Sequence, residues 1–144
     1  MADPFSVVVT GSGEGFAQEI TSGSHRLRSD EPAASGGTDT GPDPYALLLA
    51  ALGSCTSMTI ALYARRKKWP LEGVTVRLRH QRVHLHDCEG CEEAPRRIER
   101  IDREIELAGP LDEDQRSGLL AIAAKCPVHR TLTSTVEIAT SLVS

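Results

Sequence analysis

The longest feature of the hydrophobic pattern is an uncharged stretch over residues 44–64. Asp43 directly before it is suited to an N-cap, and Pro44 is suited to a first helical turn. A basic run at 65–68 follows, where positive charge complements the negative end of a helix dipole. Because Trp69-Pro70 then stops the pattern, we predict one long helix from Pro44 to the end of the basic run.

The same stretch is long enough to span a membrane, and its basic flank would fit that interpretation. Its middle argues against it, because six small or polar residues crowd into positions 53–59. The rest of the chain also contains amphipathic segments that need a packing partner. We therefore predict the buried central helix of a soluble protein, with no membrane contact.

Short β-prone runs precede this helix. Residues 5–11 and 14–20 are separated by Ser12-Gly13, which predicts a hairpin, and residues 24–29 can add a third strand. Residues 30–43 are rich in turn-forming residues. They are interpreted as a connector, because the chain is too short for them to divide two substantial domains.

The C-terminal half contains further short elements. Residues 73–85 alternate as a strand, with a shift of apolar phase that a bulge or contacts on both faces would explain. Residues 96–107 fit a helix or a strand, and the pattern leans to helix. Residues 112–125 predict a helix with a capping box, and residues 133–143 predict a final strand.

The order of these elements predicts an α+β fold, and 144 residues suggest a single domain over residues 1–144. The net charge of -4 and an aromatic content of 3% argue against a nucleic-acid partner. No secretory signal opens the chain, so we expect a cytoplasmic protein. Its thiols would then be reduced, which favours metal or redox chemistry over structural disulfides.

Two of the four cysteines lie within predicted helices. Cys55 is near the middle of the long helix, where a lone cysteine is usually a small core residue. Cys126 ends the helix over 112–125, and Pro127 is suited to begin a new turn. Its thiolate would then be stabilised by unpaired backbone N–H groups, with His129 and Arg130 adding positive charge. A role in core packing remains the alternative for each.

The other two cysteines belong to the sequence HLHDCEGC. His84, His86, Cys88 and Cys91 could chelate zinc, either as a bound metal site or as the basis of a zinc-stabilised module, or form a redox dithiol. Closed zinc sites usually draw on two separated ligand pairs, and the acidic neighbours disfavour thiolates here. We therefore expect an exposed polar turn without a tightly held metal.

Two cysteine segments are recognisable when taken together. The first is TGPDPY leading to LLLAALGSCTS within residues 40–57, and the second is CPVH at residues 126–129. They resemble the OsmC/Ohr family, the osmotically inducible and organic-hydroperoxide-resistance proteins. The order, spacing and total length also fit, so the resemblance covers nearly the whole chain.

The resemblance implies an OsmC-like α+β fold in which antiparallel sheets pack on a long central helix. It implies an intertwined homodimer, and it implies a strand over residues 96–107. It also makes Cys55 and Cys126 neighbours in space, although they are far apart in the chain.

Members of this family reduce organic hydroperoxides and peroxides with a thiolate. The resemblance implies that Cys55 attacks the peroxide and that Cys126 resolves the sulfenic acid as a disulfide. An external dithiol such as a dihydrolipoyl group would then recycle the protein, with no cofactor and no metal. The alternative hypothesis is a non-enzymatic stress-linked protein that binds a small ligand or senses redox state in an apolar dimer crevice.

The chain departs from the family at the group that stabilises the attacking thiolate. The family's peroxidases place a glutamate where this chain has Tyr45, and an arginine in the second strand near Phe16. Burial disfavours a thiolate, so a cation must offset it. We predict that Arg28, or its neighbour Arg26, supplies that cation from the next strand, and His129 or Arg130 could contribute.

Overall fold

The computed structural model describes residues 6–85 and 96–143. They form a mixed α+β fold with two antiparallel sheets and a long helix, which confirms the predicted fold class. The chain divides into two compact units, Met1–Ala50 and Ala51–Ser144. A single domain over residues 1–144 stays a prediction.

The first unit carries a three-stranded antiparallel sheet. Its strands pair in chain order and are β1 (Val8–Gly11), β2 (Gln18–Ser22) and β3 (His25–Ser29). The predicted hairpin and third strand are confirmed. β2 begins later than position 14, because Gly13 and Gly15 adopt left-handed φ values of 86° and 68° and lengthen the turn.

The connector after β3 is organised by one buried carboxylate, that of Asp30. It accepts hydrogen bonds of 2.6 Å from the hydroxyls of Thr38 and Thr40, and one of 2.8 Å from the backbone N–H of Glu31. The hydrogen bonds from Thr38 and Thr40 hold the pKa of Asp30 well below its usual range. This carboxylate therefore shapes the loop that leads into the long helix.

The long helix, α1, spans Pro44–Lys67, as predicted. The Asp43 carboxylate caps it by accepting a 2.7 Å hydrogen bond from the backbone N–H of Ala46. It ends where Lys68 takes a left-handed φ of 59°. By length and composition alone α1 could cross a membrane, a test that the core helix of a soluble protein also passes.

Only one stripe of α1 is buried within the chain, so the predicted burial is incomplete. The stripe follows the i, i+4 spacing of a helix face and consists of Leu52, Gly53, Thr56, Ile60 and Ala64. On another face the Met58 side chain is 71% exposed. The physical reason is that one small unit covers only one side of a helix that is apolar on several.

The second unit contains a long hairpin of β4 (Gly73–Leu85) and β5 (Arg96–Ala108). Its antiparallel register is continuous from Gly73 opposite Ala108 to Leu85 opposite Arg96, so the predicted bulge is wrong. The other explanation, contacts on both faces, agrees with the half-buried position of Val83.

The lean to helix over residues 96–107 is also wrong, and the strand implied by the resemblance is confirmed. Alternate side chains of β5 are half-buried, at Ile101, Arg103, Ile105 and Leu107, while Glu104 and Glu106 between the last three are exposed. Pairing with β4 settles the state of this segment, because its isoleucine spacing fits both periods.

Two short helices complete the second unit. They are α2 (Glu113–Ile122), followed by a 3-10 turn, and α3 (Pro127–Leu132). The predicted capping box of α2 is confirmed, since Asp112 and Gln115 exchange hydrogen bonds of 2.8 and 3.0 Å. The core that joins these elements consists of Ile60, Ala64, Leu111, Leu119, Ile122 and Ala123.

The strand predicted over residues 133–143 is wrong for this chain. Residues 135–143 adopt no regular structure and make no ladder with β4 or β5. A β-prone sequence becomes a strand only where a sheet edge pairs with its backbone groups, and neither edge of this hairpin does so. Ile138 in this segment is 83% exposed.

Candidate functional site

Cys126 lies at the start of α3 and is fully buried. Pro127 occupies the first helical position, which its fixed φ favours, and so leaves Cys126 as the N-cap. The Cys126 Sγ accepts a 3.2 Å hydrogen bond from the backbone N–H of His129. In the sequence CPVH, the Cys126 sulfur therefore faces the backbone N–H groups in the first turn of α3.

Cys55 and Thr56 approach this sulfur from α1. Thr56 belongs to the buried stripe, and its hydroxyl lies 2.6 Å from the Leu52 carbonyl oxygen and 4.0 Å from the Cys126 Sγ. The half-buried Cys55 is the next residue along α1, and its side chain helps to lower the pKa of Cys126. Both cysteines are free thiols, so the site brings two reduced cysteines close together.

Arg103 on β5 joins this group, although it was not among the site residues predicted from the sequence. Its Nη1 donates to the Thr56 hydroxyl at 3.1 Å, and its Nη2 lies 3.1 Å from Nδ1 of His129. Within the described residues no carboxylate lies at ion-pair distance from Arg103. One sequence feature could have identified it: Arg103 falls on the apolar face of a strand, where a charged residue is rare unless it has buried polar partners.

The contact with Arg103 also determines the state of the His129 ring. A guanidinium group carries only donors, so Nδ1 of His129 must accept. The imidazole then bears its proton on Nε2 and is neutral in this arrangement. Arg103, rather than the His129 ring, therefore supplies the positive charge near the sulfur pair.

These contacts favour the thiolate of Cys126. Burial of the Cys126 thiol opposes ionisation and would raise its pKa. Hydrogen bonds from the His129 N–H, the Cys55 thiol and the Thr56 hydroxyl outweigh burial, so the pKa of Cys126 lies below its ordinary value. At neutral pH, Cys126 is therefore present as the reactive thiolate to a greater extent than an ordinary cysteine.

A cavity of about 400 Å³ opens beside this network. Arg103 and His129 line it, and each also belongs to the network that holds Cys126. The remaining lining residues are Leu52, Glu99, Ile101, Leu132 and Thr133. The cavity thus combines apolar walls with the charged groups of Arg103 and Glu99, which suits a small molecule that has an apolar body and a polar end.

Arg28, the third predicted site residue, lies on β3 in the first unit. Its guanidinium forms an ion pair with Glu19 on β2. This contact does not test the predicted role of Arg28 toward Cys55. Tyr45, at the position of the family's glutamate, lies in the first turn of α1 and is exposed.

The HLHDCEGC cluster, His84, His86, Cys88 and Cys91, lies outside the side chains that the structure describes. Among the described residues no group of three or more His, Cys, Asp or Glu side chains could hold a metal ion. The expectation of no tightly held metal therefore stays a prediction.

Comparisons with solved structures show the fold. An OsmC-like protein from Mycoplasma pneumoniae has a TM-score of 0.70 at 19% identity, over 92% of this chain and 89% of that one. An organic hydroperoxide resistance protein OsmC from Legionella pneumophila has a TM-score of 0.63 at 21% identity, over 89% of this chain and 88% of that one. An organic hydroperoxide resistance protein from Elizabethkingia anophelis has a TM-score of 0.64 at 16% identity, over 91% of this chain and 89% of that one.

No curated protein matches the chain. A family model described as OsmC-like protein matches residues 37–141, which include both cysteine motifs and most of the described elements. These residues make up more than half of the chain. The protein therefore belongs to the OsmC-like family.

Proposed function

We propose that the protein is a thiol-dependent peroxidase that reduces organic hydroperoxides and peroxides in oxidative-stress defence. One observation carries this proposal. Cys55 and Cys126 are two free thiols that lie close together, and hydrogen bonds lower the pKa of Cys126. A pair of this kind can reduce a peroxide with two electrons and end as a disulfide. The structural neighbours named as organic hydroperoxide resistance proteins support the same chemistry.

The proposed reaction begins at Cys55. Its thiolate attacks the distal peroxide oxygen, the O–O bond breaks, and an alcohol leaves once the alkoxide has taken a proton. Cys55 is then a sulfenic acid, and the Cys126 sulfur displaces hydroxide from it to form the disulfide. An external dithiol, such as a dihydrolipoyl group, reduces the disulfide by exchange through a mixed disulfide.

The order of the two cysteines is supported by their exposure. Cys126 is fully buried, whereas Cys55 is half-buried and can meet a peroxide first. We propose that Arg28 stabilises the Cys55 thiolate, as expected from the sequence. Arg28→Ala should slow the first oxidation step in rapid-mixing measurements. If Arg26→Ala slows the first oxidation step and Arg28→Ala does not, Arg26 stabilises the Cys55 thiolate instead of Arg28.

The proposed function is tested by peroxide consumption with purified, reduced protein. Dihydrolipoamide or dithiothreitol serves as reductant, and hydrogen peroxide, cumene hydroperoxide and a fatty-acid hydroperoxide serve as substrates. Consumption that requires both the dithiol and the protein would support a peroxidase. Absence of turnover with all three substrates would reject it.

The cavity beside the thiols also favours a second candidate function. A non-enzymatic protein could bind a small apolar ligand there, with the cysteine pair as a redox sensor, and Tyr45 in place of the family's glutamate agrees with it. Peroxide-driven disulfide formation without catalytic recycling would support this sensor over the enzyme.

We propose that the working form is a homodimer. Met58 on α1 is 71% exposed and Ile138 in the C-terminal segment is 83% exposed. Burying such surface is worth about 25 cal/mol per Å² of apolar area, and a second copy would provide it. Light scattering at micromolar concentration should give the mass of two chains. A stable, folded monomer under these conditions would refute the dimer.

We also propose that the protein acts in the cytoplasm, where thiols are kept reduced and dithiol carriers are available. The redox partner is then a dihydrolipoyl group or a comparable dithiol. Neither a nucleic acid nor a membrane is a partner in this proposal, since the chain has a net charge of -4 and the middle of α1 is rich in small polar residues.

A further inference from the structure

We propose that the reduced site keeps its negative charge on Cys126, and that Arg103 is a positioning residue that holds the charge there through Thr56. In catalysis, Cys126 then acts as the internal base for Cys55 before it acts as the resolving thiol. The catalytic consequence rests on the proposed peroxidase function, but the location of the charge does not.

The groups around the Cys126 Sγ direct their donors toward it. The backbone N–H of His129 donates to this sulfur at 3.2 Å, and the Thr56 hydroxyl lies 4.0 Å from it. The Cys55 side chain also favours its charged form. These donors come from two different elements, α1 and α3, and they converge on one sulfur. Hydrogen bonds to the charged form favour that form, so the convergence assigns the thiolate to Cys126.

The single proton of the Thr56 hydroxyl links Arg103 to Cys126. The oxygen accepts from Arg103 Nη1 at 3.1 Å, so its own proton is free to point elsewhere. It has two acceptors, the Leu52 carbonyl at 2.6 Å and the Cys126 Sγ at 4.0 Å. A thiolate is a stronger acceptor than a thiol, and a guanidinium bound to the oxygen polarises the O–H bond. Arg103 thus strengthens the Thr56 donor when Cys126 is charged.

Arg103 needs a negative charge nearby, because it is half-buried on β5 and its two described side-chain partners, Thr56 and His129, are neutral. Among the described residues, the ionisable groups in contact with the network are Cys55 from α1, Arg103 from β5 and His129 from α3. Glu99 on β5 also lines the cavity, where His80 and Arg82 bind it. A thiolate at Cys126 supplies the negative charge that balances the half-buried guanidinium.

The chemistry follows without any further reactant. As a peroxide arrives, the Cys55 S–H bond breaks and the proton moves to Cys126. The Cys55 thiolate attacks, and the departing alkoxide takes the same proton back from Cys126. Cys126 is then a thiolate again and displaces hydroxide from the Cys55 sulfenic acid. One sulfur therefore serves in turn as base, acid and nucleophile.

The charge can be located without peroxide, by titrating thiolate ultraviolet absorbance in reduced protein. A background with Cys88→Ser and Cys91→Ser leaves only the two site cysteines. Adding Cys55→Ser should leave a thiolate that titrates below the ordinary thiol value of about 8.5. Adding Cys126→Ser instead should abolish the thiolate signal in that low range. Retention of the signal in the Cys126→Ser protein would overturn the proposal.

The role of Arg103 is tested in the same Cys55→Ser background. Arg103→Gln should raise the titration midpoint of Cys126 by about one pH unit, which is about tenfold less thiolate at a pH below the midpoint, and Arg103→Lys should restore part of it. Thr56→Val should raise the midpoint too, and Arg103→Gln should then add little, because Arg103 acts through this hydroxyl. Arg130→Gln, on the exposed side of α3, is the matched control and should leave the midpoint unchanged.

Equal shifts from Arg103→Gln and Arg130→Gln would refute the positioning role, as would a full Arg103 effect in the Thr56→Val protein. Circular dichroism of each variant confirms the fold, and the Arg103→Lys protein keeps the test valid if the glutamine variant unfolds. The two proposals fail separately. Titration as expected without peroxide turnover rejects only the peroxidase, and turnover with the charge on Cys55 rejects only this inference.

Discussion

Replacing Cys55 with serine should abolish dithiol-dependent peroxide consumption and peroxide-driven disulfide formation. Serine is close to cysteine in size and keeps a hydroxyl donor, but it lacks the sulfur that accepts the peroxide oxygen. Cys126 in this variant remains a thiolate, yet it is fully buried and should stay unoxidised. Mass spectrometry after one equivalent of hydroperoxide measures the oxidation state of each cysteine.

Replacing Cys126 with serine gives the contrasting result. The protein should consume about one equivalent of hydroperoxide and stop, because the Cys55 sulfenic acid finds no second thiol. This single oxidation should also be slower than in the unmodified protein, since the internal base is gone. A sulfenic acid on Cys126 in the Cys55→Ser protein, with none on Cys55 in the Cys126→Ser protein, would reverse the two roles. No oxidation of either residue would favour the binding protein.

Leu119→Ala should destabilise the protein by about 2–5 kcal/mol. Leu119 on α2 is fully buried in the core with Ile60 of α1, so its truncation leaves a cavity that the surrounding elements fill only in part. The measurement is urea unfolding at fixed protein concentration, since association would shift the apparent stability.

Leu120→Ala is the matched control for that experiment. It is the same substitution at the next position of the same helix, but Leu120 is 60% exposed. Its effect should stay within about 0.5 kcal/mol, the range of ordinary surface substitutions. Similar losses from both variants would show that Leu120 is covered in solution, and similar small effects would show that the core around Leu119 is misassigned.

The proposals place two arginines in different roles. Arg28 is a prediction from the family resemblance, in the first unit, for the thiolate of Cys55. Arg103 is found from its contacts in the second unit and acts on Cys126 through Thr56. The variants of each can be compared directly, because peroxide oxidation reports on the first and thiolate absorbance reports on the second.

The elements that the sequence determined by itself are those with local signals. The length of α1 follows from an uncharged stretch between the Asp43 cap and a basic end, and α2 begins at a capping box of Asp112 and Gln115. Such caps act within three or four residues, so the chain needs no distant partner to choose them. The cysteine motifs also pointed to the family from sequence alone.

The tertiary structure decided what depends on distant partners. The state of residues 96–107 required the pairing with β4, because isoleucine spacing fits a helix or a strand. Residues 133–143 have a strand-like composition but form none, since no edge of the hairpin pairs with them. The incomplete burial of α1 has the same cause. The hydrophobic pattern shows which faces of the helix are apolar, but it does not show which elements cover them.

The site shows this division most clearly. Sequence reasoning named Cys55 and Cys126, yet it missed Thr56 and Arg103. Arg103 is separated from Thr56 by 47 positions and from His129 by 26, and it reaches both only because the fold brings β5 near α1 and α3. Residue type determines what a side chain can donate or accept, whereas packing alone determines which groups it meets.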